Sequence, residues 1–357
     1  MRRSDREDGK VKNETLGNLS HLPDHLVDII RRSLRGERFV PVAEAFEVTS
    51  SLPWGHVQAV RSAMKRLKFA SLLGSKSSRE RDLVMAMVAS RIVSPSSKLA
   101  TTRGWHTTSL ASDFGVSDAD EEDLYAAMDW LLARQDSIQK KLAARHLKTG
   151  GRVLYDLSSS CFEGTHCPLA QLGYNRDGKK GLLQVNYGLM TDARGCPVAV
   201  TVHEGNVSDS KTFLSEVERL CGEFGIEEVV LVRAHILLCM LAYYVEWHMR
   251  EAWRELTFAD ADRSAQSSRD PVAPAQRSPA AKAEASRRRL DDGTPAYGFQ
   301  TLMADLSTLV RNTCRDPSAA PDTPPFEVIT TPTPTQRRAL DLIEQIGTQT
   351  ETGTPDS

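Results

Sequence analysis

Cysteine is sparse in this 357-residue chain, and the six thiols, at 161, 167, 196, 221, 239 and 314, show no paired metal-binding spacing. They read as reduced cytosolic thiols, and a disulfide scaffold is excluded. Long apolar runs are absent too. The longest, Ile236 to Val245, has ten residues between His235 and Glu246, whereas a membrane span needs roughly 20. It predicts a buried helix in a cytoplasmic protein with no membrane partner. MRRSDREDGKVKNE has basic residues but no apolar core behind them, so no secretory signal is expected. Net charge is nearly missing, since 45 Lys and Arg face 47 Asp and Glu, net −2. What is present, 40% hydrophobic and 26% charged residues, is an ordinary globular composition and argues against wholesale disorder or a collagen-like chain.

The charge is unevenly spread. Residues 1–150 hold 24 Lys and Arg against 19 Asp and Glu, net +5, and the remainder is net −7. A mildly basic first part suits a nucleic-acid partner, since phosphate contacts supply most non-specific affinity, although such an excess also suits an ordinary solvated surface. From about 22 to 147 the apolar spacing predicts helices: Leu26, Ile29, Ile30 and Leu34; Val57, Val60, Met64 and Leu67; Leu83, Val84, Met87, Val88 and Ile92. DADEED then places carboxylates where a helix N-terminus favours them, ahead of Leu124, Met128, Leu131 and Leu132.

Near residue 151 the period changes. RVLYDL (152–157), LLQVNYGL (182–189) and PVAVTV (197–202) are short, rich in β-branched residues and separated by Gly-containing turns. A helix is predicted at 209–224, and EEVVLV (227–232) reads as a fully buried fourth strand. That strand would run without a turn residue into RAHILLCMLAYYVEWHMREAW, although buried strands usually end in a loop where site residues collect. Residues 263–295 are rich in Pro, Ala, Ser and Arg, the composition of a linker with a short helix at 280–290. A helix over 298–311, a strand FEVIT and a helix at 335–346 are expected to follow.

Asp156 stands in an otherwise apolar strand before Ser158, Ser159 and Ser160. A carboxylate there is costly to bury unless paired or metal-bound, and by itself it reads as a strand-end Asp capping its own turn. Its surroundings change that balance. LYDLSSSCFEG, CPLAQLGYNRDGKKG and LQVNYGLMTDARGCPVAVTVHEGNVSDSKTF together resemble the catalytic core of bacterial insertion-sequence transposases of the DDE class. LYAAMDWLLARQDSIQKKLAARHL, RAHILLCMLAYYVEWHMREAW, RDPVAPAQRSPAA and TPTPTQRRAL extend the resemblance over about 22–345. It implies a ribonuclease-H-like domain, DNA carrying the element's terminal inverted repeats as partner, and DNA transposition (recombination) by two-metal phosphoryl transfer. In such a site two Asp and one Glu hold two Mg²⁺, because hard cations take oxygen ligands. Asp156 matches the first Asp, the catalytic and metal-binding position.

The rest of the resemblance is broken. The second Asp belongs just past EEVVLV, where this chain has Arg233 and Ala234. No Tyr-x2-Arg-x3-Glu-x6-Lys run supplies the Glu. An internal segment lost near Val232 and Arg233 accounts for both gaps, so the chain is expected to bind no Mg²⁺ and to be catalytically dead. Glu163, Asp177, Asp192, Glu204 and Asp209 belong to loops and strands that already have other roles in that family. The fold expected is α+β or α/β. It comprises a disordered 1–21, a helical DNA-recognition module at 22–150, a truncated ribonuclease-H-like core at 151–262, a linker at 263–297, a helical C-terminal region at 298–346 and a disordered tail at 347–357. Arg61, Lys65, Arg66 and Lys68 on a helix, with Lys179 and Lys180 after a turn, are the DNA-binding candidates. Self-association, or association with an intact transposase that the remnant disturbs, is the other partner expectation, with an apolar helix 235–253 left exposed by the deletion. Cys161, His166 and Cys167 lack a distant second pair and read as structural, not zinc-binding, and His248 reads as a packing residue.

Overall fold

Apolar residues at helical spacing fold most of the chain into helices, and an antiparallel sheet is built where the period drops to two. The computed structural model describes residues 2–7, 10–15, 17–19, 21–37, 39, 41, 45–147, 153–164, 166–173, 181–207, 230–258, 289–290, 293, 296–320 and 322–347. The expected helix at 209–224, the linker helix and the tail fall almost wholly outside them. Two units result, residues 1–50 with 313–328, and residues 51–312 with 329–357.

In the smaller unit, β1 (Arg2–Glu7) and β2 (Lys10–Thr15) form an antiparallel hairpin with Asp5 opposite Lys12. The expectation of a disordered 1–21 is corrected here, because so polar a stretch carries no alternation from which a ladder can be read. Helix α1 (Asp24–Leu34) has Asp24 in its first turn and Arg31 and Arg32 in its last, as the helix dipole favours. None of its residues is buried. β3 (Glu47–Pro53) corrects the all-helical reading of 22–147. Its sheet partner is β8 (Val310–Arg315), with β9 (Phe326–Ile329) beyond, and Thr49 Oγ1 donates to the Thr313 carbonyl at 3.1 Å, 264 positions away. A window along the sequence does not register such a pairing. β9 is the expected strand FEVIT, whereas β8 was not expected and corrects the reading of 298–346 as otherwise helical.

The larger unit opens with α2 (Gly55–Arg66), α3 (Phe69–Leu73), α4 (Arg79–Val93), α5 (Lys98–Gly104), α6 (Leu110–Phe114), α7 (Glu121–Leu132) and α8 (Gln135–His146). Ser78 and Ser97 cap α4 and α5, and Asp120 with Asp123 forms a capping box on α7, which begins in the acidic run where a helix start was expected. α9 (Val230–Ala252) packs against α2, α4, α7 and a strand described below. Leu237, Leu241, Tyr244, Val245, Met249 and Trp253, the last just past its end, are buried. Trp253 Nε1 donates to the Ala339 carbonyl at 2.9 Å, inside α11 (Pro334–Glu344), which follows α10 (Phe299–Ser307).

Two expectations fail at α9. The helix is well housed, so the predicted exposed apolar patch is absent among its described side chains. Val230, Leu231 and Val232, read as the end of a buried strand, are helical, while 227–229 lie outside the described residues. With no Gly or Pro between Val230 and Trp253, nothing stops the helix from propagating backwards, and the β preference of valine is a weak prior against that.

The sheet of this unit is antiparallel, with β4 (Val153–Cys161), β6 (Leu183–Asp192) and β7 (Pro197–Glu204) in line and the two-residue β5 (Gln171–Leu172) beside β6. The three strands expected between 151 and 202 are therefore present. Gly195, at φ +88°, makes the β6–β7 turn. Gln135 and Gln139 of α8 both donate to the Val200 carbonyl, at 3.0 and 3.1 Å, and fasten that helix to β7. Asp156 was expected on the central strand. β6 is central, and β4, carrying Asp156, is an edge among the described residues. The fold is thus mixed α and β, and among the described residues no helix is long and apolar enough to cross a membrane.

Candidate functional site

Asp156 sits opposite Leu189 in the β4–β6 register. Alternation turns Leu157 into the interior and leaves Asp156 exposed, with Ser158 Oγ donating to its Oδ2 at 3.4 Å. The carboxylate is therefore solvated and needs no cation to stabilise it. Glu163 and Glu204 are also exposed, Asp177 and Asp209 lie outside the described residues, and Ala234 is buried on α9. Asp192 is buried but engaged, taking the Arg194 guanidinium at 2.8 and 3.0 Å and the N–H groups of Arg194 and Cys196 at 2.8 and 3.0 Å. Burial pushes its carboxyl up, but these hydrogen bonds outweigh that and hold it below its ordinary value.

Magnesium requires several fixed oxygen ligands, since it sheds its hydration shell reluctantly. Among the described residues no group of three carboxylates converges anywhere, and Asp156 brings one. The donor set does not fit a two-Mg²⁺ centre.

Of the basic candidates, Arg61, Lys65 and Lys68 lie at i, i+4 and i+7 along α2 and its end, all exposed, so they share one side. None is ion-paired among the described residues. Lys68 adopts a left-handed conformation (φ +50°) that breaks α2 from α3. Arg66 is partly buried, and its Nε donates to the Ile346 carbonyl at 3.0 Å. Lys179 and Lys180 lie outside the described residues.

Two arrangements escaped the sequence reading. A recess of about 530 Å³ is lined by Arg91, Lys98, Glu121, Tyr125 and His235. Lys98 Nζ lies 2.6 Å from His235 Nδ1. Burial, helped by Lys98 and Arg91, pushes His235 down to about 4, and burial lowers Lys98 as well. The second is His146, Cys196 and His248, whose ligand-type atoms all lie within 4.8 Å of one another; among the described residues this is the group of three found. Cys161, His166 and Cys167 do not converge in that way. The missed trio had no local spacing to betray it, but His248 falls in helical phase with the buried Tyr244, four residues earlier.

No protein-family model, no curated protein and no solved structure matches the chain.

Proposed function

We propose that this chain is an internally deleted DDE transposase that binds the ends of its insertion sequence without cutting them, and so competes with intact copies. The single observation that carries the loss of catalysis is the ligand count, with Asp156 alone and exposed where three converging carboxylates are required. The derivation itself is supported by the motif runs around Asp156 and by their antiparallel β4–β6–β7 arrangement, which suits the start of a ribonuclease-H-like domain. DNA affinity is supported by Arg61, Lys65 and Lys68, exposed on one side of α2 and without an ion-pair partner among the described residues.

Strand cleavage and transfer draw nearly all of their transition-state stabilisation from two bound cations, so without a site for them no cleavage is expected. Incubating the full chain with Mg²⁺ or Mn²⁺ and DNA bearing the element's ends should give a retarded complex and no nick. Affinity should fall steeply with salt, and changing Arg61, Lys65 and Lys68 together to Ala should flatten the log–log salt slope by about 3. Nicking that vanishes in Asp156→Ala would overturn the loss of catalysis, and the absence of any complex at low ionic strength would overturn the DNA-binding reading.

A further inference from the structure

The trio His146, Cys196 and His248 comes from three distant stretches: the last residue of α8, the first residue after the β6–β7 turn, and α9. Cys196 Sγ and His248 Nε2 are 3.8 Å apart, and the two imidazole rings lie 5.6 Å apart between centroids. With Zn–S of about 2.3 Å and Zn–N of about 2.0–2.1 Å, ligands around one tetrahedral zinc sit roughly 3.3–3.6 Å from each other. Small side-chain rotations therefore close the group. We propose that His146, Cys196 and His248 form a Zn²⁺ site that clamps α8, the β6–β7 turn and α9 together, with a water as fourth ligand. This site is independent of the transposase reading.

The donor chemistry selects the metal. Two imidazoles and a thiolate suit zinc and not the magnesium that the family resemblance implies. The supporting contacts are already built. Asp192 accepts the Cys196 N–H at 3.0 Å and fixes the direction in which the thiol leaves the turn, the outer-shell role that carboxylates play around metal ligands. Arg194 Nη2 lies 3.4 Å from His146 Nδ1, and the Arg145 charge also bears on His146 and His248. Arg194 is neutralised by Asp192 and rests over the Trp247 ring at 5.2 Å. Its side chain is 57% exposed, so an outward swing needs only that its two bonds to Asp192 break. The Tyr244 hydroxyl lies 3.2 Å from His146 Nε2, a polar neighbour at the edge of the site.

Protonation favours the two imidazoles as ligands and opposes the thiolate. Burial lowers His146 and takes His248 down to about 3, so both rings are neutral and keep a lone pair. Burial takes the Cys196 thiol up to about 12. Binding must therefore break the S–H bond, form a Zn–S bond and release the proton to solvent, which makes affinity rise with pH.

The test uses the purified full chain, stripped with a chelator and titrated with Zn²⁺ and then with Co²⁺. Expected are an equimolar amount of zinc retained through gel filtration, proton release on binding, and a thiolate-to-cobalt charge-transfer band. Cys196→Ser and His248→Gln should each weaken retention by roughly tenfold or more, and the first should abolish the charge-transfer band. Cys161→Ala with Cys167→Ala should change neither. Failure of the parent chain to retain metal would overturn the site, as would a cobalt band that survives Cys196→Ser or disappears with Cys161 and Cys167. Should Cys196→Ser not fold, the parent's cobalt spectrum and proton release still decide, because a site without thiolate yields neither.

Discussion

Helices α1 and α9 both announce themselves by apolar spacing, and the chain treats them in opposite ways. α9 is surrounded in the larger unit, with Leu237, Leu241, Val245 and Met249 fully buried. α1 in the smaller unit buries nothing, and Ile29, on its apolar side, is 39% exposed. Periodicity therefore states which face of a helix seeks cover; whether cover exists is decided by elements far away in the chain. For α9 the cover comes from α2, α4, α7 and β7. Stability should be divided in the same way.

The contrast is broken most directly at Leu241. Leu241→Ala should cost about 2–5 kcal/mol, as large-to-small core changes do, read as a lowered urea midpoint at unchanged slope. A cost below about 1 kcal/mol would mean that α9 is not the centre of that core. The next effect is in pH. His56 and His235, both in the larger unit, are lowered by burial to about 4 from an ordinary 6.5. They stay neutral in the folded chain while the unfolded chain binds protons below 6.5. Their contribution is therefore complete above about 6.5 and is lost as pH falls toward 4, at up to about 1.4 kcal/mol per pH unit for each residue. Unfolding followed between pH 7 and 5 should show the falling midpoint, and His235→Gln should make the dependence shallower. An identical pH slope in that variant would show that His235 titrates normally. The smallest effect belongs to α1, where Ile29→Ala should stay within about 0.5 kcal/mol. A larger loss in the same denaturation experiment would show that this face is covered in solution.

Much of the larger unit was legible because its signals are local. The acidic start of α7, the helical phase of α2 and α4, and the alternation that makes β4, β6 and β7 all lie within a few residues of the atoms they order. β3 was hidden because its ladder partner lies beyond residue 309, and 230–232 were misread because β-branched residues looked like a strand until a long helix absorbed them. At the candidate site, Asp156 could be found on its strand from the sequence, but its edge position depends on strand order. The trio of His146, Cys196 and His248 was invisible for a related reason: 50 residues or more separate its members, and only the packing of α8 and α9 around the β6–β7 turn assembles them.

The sheet has two unlike margins. On β7 the glutamines of α8 occupy the Val200 carbonyl, leaving it unable to recruit a neighbour. On β4 no strand lies alongside among the described residues, and Val153 and Leu154 are exposed. Open margins of this kind template stacking between molecules unless something interrupts them, and a charged residue is a common interruption. Asp156, solvated at the middle of that strand, is such an interruption. The carboxylate there acts as a guard against aggregation, and its presence in the strand needs no metal to explain it.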